Sequence, residues 1–234
     1  RFSDASGFKM VLVGNVDMET LRPLLCQYIA TLPNKGKHSI AKDSYPQVRN
    51  VNETHIFKKK MNTPSTLVSV FYTFDEAFTP KNDLTLDVFK RVLTIAYTDS
   101  VREEKGGTYG VSVQSELDNT AKPHGFLKIS FRTDPAKYEM LMPIIYRQIE
   151  NIANNGPLMS SMDKVKKYLL KAYSQSINTN GYWDYVIYNR LRHNVDFFTG
   201  YEDLVKSLTP QDVQQIAKDI LKSNRRIEIT MMSE

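Results

Sequence analysis

The chain has 234 residues, enough for one good core, or for one full domain plus part of another. It is 41% hydrophobic and 24% charged with a net charge of +5, and the basic excess is spread over Lys58 to Lys60, Lys164 to Lys167, Lys222, Arg225 and Arg226, which argues against nucleic acid as a partner. No apolar run approaches the ~18 residues that span a bilayer, and the single cysteine, Cys26, excludes an internal disulfide and a thiolate zinc site.

The first residues, from Arg1 to Asp4, carry no initiator methionine and no signal peptide, so the chain reads as a piece of a larger protein with any targeting signal elsewhere. Phe8 to Val13 is apolar and β-branched, a predicted buried strand ended by Gly14. Asp17 is a predicted N-cap for a helix with Leu21, Leu24, Leu25 and Tyr28 at helical spacing, stopping near Leu32 and Pro33. Cys26 in this stretch reads as a small core residue. Residues 35–52 have Gly36, Pro46, several lysines and no periodicity, which marks a linker. Residues 1–34 are too short to fold alone and read as the strand–helix tail of a preceding domain; residues 53–234 read as a second, complete domain.

In that second part, His55 to Lys58 is strand-like, and Leu67 to Phe74 is β-rich and predicted to be central. Asn82 or Asp83 is a predicted cap for a helix whose apolar face is Leu86, Phe89, Val92, Leu93, Ala96 and Tyr97, ended by Gly106 and Gly107. Tyr109 to Leu117 alternates as a strand, with Tyr109, Val111, Val113 and Leu117 on one face and Phe126 to Phe131 as the antiparallel partner. Asp134 and Pro135 open a helix striped by Tyr138, Leu141, Ile145, Ile149 and Ile152. Further helices start near Ser160, Gly181 and Thr209, and Arg226 to Met231 alternates as a closing strand. Paired strands without strict βαβ alternation predict an α+β fold: a mostly antiparallel sheet with helices on one face.

Val101 to Gly110 packs a helix end, a glycine hinge and a strand start into ten residues. Arg102 suits the negative end of its helix. Glu103 and Glu104 do not, at ~0.3–1 kcal/mol each when exposed. Arginine offers five fixed donors and tyrosine one donor on a rigid ring. Together they are able to hold a peptide carbonyl, or an oxyanion formed from one. The residues equally support a second reading, in which Tyr109 caps the core and Arg102 pairs with a nearby acid. By itself the sequence shows no complete catalytic constellation. His38, His55, His124 and His193 lack metal spacing, and the H-E-x-x-H, H-x-x-E-H, G-x-S-x-G and dinucleotide motifs are absent.

The run from Arg102 to Tyr109 resembles the R-E-x-x-G-x-x-Y segment of pitrilysin/insulysin-type zinc peptidases, the inverted-zincin or insulinase family. Val11 to Asp17 with Leu32 and Pro33, Thr133 to Pro135, and Leu208 to Asp212 also resemble that family's motifs in order and spacing. The fold implied is a processing-peptidase-like domain. The resemblance implies two halves around a chamber, one half binding zinc through H-x-x-E-H and a distal glutamate. The other half has lost the metal motif and supplies an arginine and a tyrosine. Arg102 would then hold substrate backbone, and Tyr109 would bind substrate and stabilise the oxyanion, acting only together with the zinc half. This segment has no zinc ligands, so zinc is expected in the other half, in the same chain or a partner chain, with a peptide as substrate. Long-chain bacterial members point to a periplasmic or exported setting, which no residue here shows. The alternatives are a non-proteolytic structural or assembly subunit of the same fold, and a basic nucleic-acid-binding module.

Overall fold

A computed structural model describes residues 3–36, 48–103, 108–119 and 122–234, the side chains of 101–103 and 108–109 excepted. The chain divides into two compact units, Arg1–Tyr45 with Lys171–Thr199, and Pro46–Leu170 with Gly200–Glu234.

The larger unit is built on a five-stranded sheet. Its strands are β1 (Asn52–Lys59), β2 (Thr66–Asp75), β3 (Thr108–Asp118), β4 (His124–Thr133) and β5 (Arg226–Ser233), in the order β1-β5-β2-β4-β3. All neighbours are antiparallel except β1 and β5, which run parallel. The β-rich run at Leu67 is therefore the middle strand, as its composition predicts. Helices α2 (Pro80–Glu103), α3 (Tyr138–Asn155) and α7 (Pro210–Lys222), with residues of α4 (Met159–Ser176) up to Leu170, cover one face. Val68 and Val70 of β2, Leu127 and Ile129 of β4, Phe89 and Leu93 of α2 and Ile145 and Ile149 of α3 are fully or almost fully buried there. This is the predicted α+β architecture. Among the described residues no helix is long and apolar enough to cross a membrane.

Local chemistry sets the helix ends. Asp134 accepts from the Ala136 N–H at 2.8 Å and opens a 3₁₀ turn, Pro135–Lys137, that leads into α3. Gly156 closes α3 with φ 77°, a conformation that favours glycine. Thr209 and Asp212 form a reciprocal capping box at the start of α7, and Lys81 bonds Asp212 at 2.8 Å. Helix α2 begins earlier than expected. Its cap is Thr79, whose hydroxyl accepts from the Asn82 N–H at 3.2 Å, with Pro80 at the first helical position, so neither Asn82 nor Asp83 is the cap. A short helix α6 (Tyr201–Ser207) was not foreseen, because seven residues carry too little periodicity to read.

Strand β5 alternates, and its polar residues are the buried set. Glu228 and Thr230 are buried, whereas Ile229 is 38% exposed. The register explains it: Glu228 pairs with Val70 and Thr230 with Val68, so the polar residues share the helix-covered face. Two tyrosine hydroxyls donate to Glu228 there, Tyr138 at 3.0 Å and Tyr146, and these bonds make burial of a carboxylate tolerable.

The smaller unit contains α1 (Met18–Tyr28), the last residues of α4 and helix α5 (Asn180–His193). Asp17 caps α1 as expected, accepting from the backbone of Glu19 and Thr20. Two expectations fail here. Phe8 to Val13 forms no strand, and Phe8, Met10 and Leu12 are exposed. No second strand is described in this unit, and a strand requires a ladder partner for its backbone groups. No residue of α1 is buried, and Cys26 is exposed instead of packed in a core. Aromatic contacts are prominent in the unit: the Trp183 indole donates to the Ile177 carbonyl at 2.9 Å and lies 5.1 Å from the Phe198 ring.

Candidate functional site at the α2–β3 junction

The hinge singled out in the sequence joins α2 to β3. Arg102 is the penultimate residue of α2, and Tyr109 is the second residue of β3. Residues 104–107, including Glu104, Gly106 and Gly107, lie outside the described residues. The chain thus carries both predicted residues on regular elements, one on each side of a four-residue connection.

The strand start is irregular. Thr108 pairs with Thr133 and Val111 with Phe131, so Tyr109 and Gly110 together stand opposite Arg132. That is a β-bulge, a device that re-aims a side chain and is frequent beside active sites. Gly110 has φ +146°, which L side chains rarely adopt, so the backbone itself requires glycine at this position. The bulge also interrupts alternation. Counting by twos from Val113 and Val111 to Tyr109 crosses it, so the shared face expected from the sequence does not follow.

Beside the junction lies a groove of about 410 Å³, formed by Lys90, Arg91 and Ile95 of α2, Val113 of β3, and Lys164 and Tyr168 of α4. Its lining is mostly apolar, with cations at the rim. Asp87 orders two of them: Arg91 Nε donates to it at 2.7 Å, and Lys90 also pairs with it. The Arg91 guanidinium lies 4.5 Å from the centre of the Tyr168 ring. One turn before Asp87, burial and that second carboxylate push the Asp83 carboxyl up to about 6. No pattern in the sequence marks this groove, since it exists only once α4 is laid beside α2.

A second polar feature surrounds β5. Burial, and then the hydrogen bond to Glu228, push the Tyr146 phenol well above its ordinary range, and burial raises Tyr72 to about 12. Arg226 sits 5.0 Å from the centre of the Tyr146 ring. These groups anchor β5 to α3. Among the described residues no cluster of three or more His, Cys, Asp or Glu is placed to hold a metal ion. His55 bonds Glu53 at 3.0 Å, and His124 bonds the Lys122 carbonyl at 2.9 Å. Zinc therefore does not fit the described part of this chain.

Comparison with known proteins identifies the family. The probable zinc protease PqqL of Escherichia coli (strain K12) is 25% identical over 232 residues, which is 94% of this chain and 24% of that protein. The crystal structure of the periplasmic protease PqqL from Escherichia coli superposes with a TM-score of 0.74 at 18% identity, over 94% of this chain and 25% of that one. The crystal structure of pitrilysin superposes with a TM-score of 0.63 at 13% identity, over 94% and 24%. The chain thus spans about a quarter of the length of these relatives. A family model, the Peptidase M16 inactive domain, matches residues 2–169. This chain belongs to that family, a non-catalytic domain of zinc-protease-type proteins.

Proposed function

We propose that this chain is the metal-free, substrate-binding segment of a zinc-dependent endopeptidase, working in a chamber formed with a zinc-binding half. The observation that carries the reading is the α2–β3 junction: Arg102 at the helix end, and Tyr109 in a bulge made possible by Gly110. Bulges re-aim side chains and are frequent beside active sites, which supports the reading. On this reading residues 1–34 close a preceding domain, 35–52 link, and 53–234 form the last domain. Zinc, water activation and bond cleavage belong to the other half.

The roles follow from the donors. Arg102 donates hydrogen bonds to substrate carbonyls and fixes the register of an extended peptide. Tyr109 donates its hydroxyl to the oxygen that becomes negative as the scissile carbonyl turns tetrahedral. That bond strengthens as charge develops, so it lowers the barrier and not merely the dissociation constant. The two residues thus have separable kinetic signatures. In the full-length polypeptide Arg102→Ala is expected to raise KM about tenfold with zinc content unchanged. Wild-type KM and kcat in that variant would remove Arg102 from the site.

The family's description as an inactive domain also fits a structural or assembly subunit. An H-x-x-E-H segment elsewhere in the same polypeptide, or in its partner, favours the peptidase; its absence from both favours the assembly role.

A further inference from the structure

The groove beside the junction has features that the Arg102 and Tyr109 assignment does not use. Its volume of about 410 Å³ falls within the range of small-ligand sites and exceeds what one leucine side chain fills. Ile95, Val113, Val165 and the Tyr168 ring give it an apolar lining. Three cations border it against one contacting carboxylate, Asp87, which binds both Lys90 and Arg91. Lys164 has no ion-pair partner among the described residues. The Arg91 head is held in place from two sides, by Asp87 and by the Tyr168 ring. An ordered cation costs little entropy when it meets an anion.

Position ties the groove to the junction. Ile95 and Arg102 are seven residues apart on α2, about 10 Å along the axis at 1.5 Å per residue. Val113 and Tyr109 are four residues apart on β3, about 13 Å. Strand β3 is at the edge of the sheet, paired only with β4 among the described residues, so the groove opens at the side of the molecule's sheet rather than over its middle. An extended peptide advances about 3.3 Å per residue. A peptide held at the junction and running along α2 and β3 would bring a side chain three or four residues away to the groove.

We propose that the groove is a specificity subsite that selects peptides carrying an acidic residue next to a large apolar one. The apolar side chain fills the space between Ile95, Val113 and Tyr168, and the carboxylate meets Lys164 and Arg91 at the rim. This rests on the peptide-binding reading above and names the substrate class for that site.

The test uses two labelled decapeptides, identical except for Glu or Lys beside a central leucine, with one amide elsewhere N-methylated to resist cleavage. Fluorescence anisotropy with the full-length polypeptide reads their affinities. The Glu peptide is expected to bind about tenfold more tightly. Lys164→Met, at an exposed position, is expected to cut that ratio about three- to fivefold, in line with a solvent-exposed charge pair, with an unchanged Tm. Lys164→Glu should abolish the preference. Arg102→Ala should weaken both peptides alike and leave the ratio intact. Equal binding of the two peptides by the wild type, or an unchanged ratio in Lys164→Glu, overturns the subsite. Neither peptide binding overturns it as well. A ratio that responds to Lys164 while Arg102→Ala changes neither affinity leaves the subsite standing and removes the junction as the grip on the peptide.

Discussion

Glu228 is a carboxylate in the core of a sheet, 4% exposed, and its tolerance depends on its partners. Tyr138 and Tyr146 donate to it, and Thr230 lies 3.4 Å away. Replacing it by leucine leaves buried hydroxyls without an acceptor. We expect Glu228→Leu to cost about 2–4 kcal/mol in urea denaturation and Tyr138→Phe about 1 kcal/mol. Equal stability of Glu228→Leu and wild type would show that these bonds hold nothing. Asp83 gives a second residue-level outcome. Its folded pKa, about 6, lies above its ordinary 3.8. The folded protein thus keeps a proton that the unfolded chain releases between about pH 4 and 6, and stability falls as pH rises through that window. Asp83→Asn should remove this slope, so that the variant gains on the wild type from pH 4 to pH 6 and holds a constant lead above. Parallel urea midpoints for the two proteins across that range would refute it.

At the scale of elements, the sheet and its helices follow from patterns that a sequence displays. The apolar stripes of α2 and α3, the Thr209 cap of α7 and the β-rich run of β2 each have one dominant local signal, and tertiary packing agrees with it. What escaped reading depends on neighbours. Alternation in β5 was visible, but which set faces inward is decided by pairing with Val68 and Val70 and by two distant tyrosines. The apolar residues of α1 were visible too, but none is fully buried: Leu21 and Leu25 are half-buried, and Leu24 and Tyr28 are exposed. The α2–β3 junction was legible as a hinge with Arg102 and Tyr109 on its sides. The bulge was not, since it is a property of two strands in register. The groove was not either, since three elements make it. The sheet's tightest approach offers a check on the register. Gly125 of β4 pairs with Phe74 of β2, and a methyl there would stand 2.7 and 2.9 Å from two carbons of that ring. Gly125→Ala should cost about 1–3 kcal/mol through overpacking. A thermal midpoint equal to wild type would mean that the ring does not lie over this glycine.

At the scale of the whole molecule, the proposed function makes this chain one part of a division of labour. It belongs to a family described as inactive and matches about a quarter of the length of zinc-protease relatives. Its described residues hold no metal cluster. On the proposed function such a domain contributes to peptide hydrolysis through groups presented to a centre in the other half. In the proposed function Tyr109 is the one residue with a part in the chemical step. The most direct measurement is kcat of the full-length polypeptide on a quenched fluorescent peptide, for wild type and Tyr109→Phe, with zinc determined in both. Loss of one oxyanion donor predicts a fall in kcat of about 10²–10³ with KM and zinc content unchanged. Wild-type kcat in Tyr109→Phe would contradict the account.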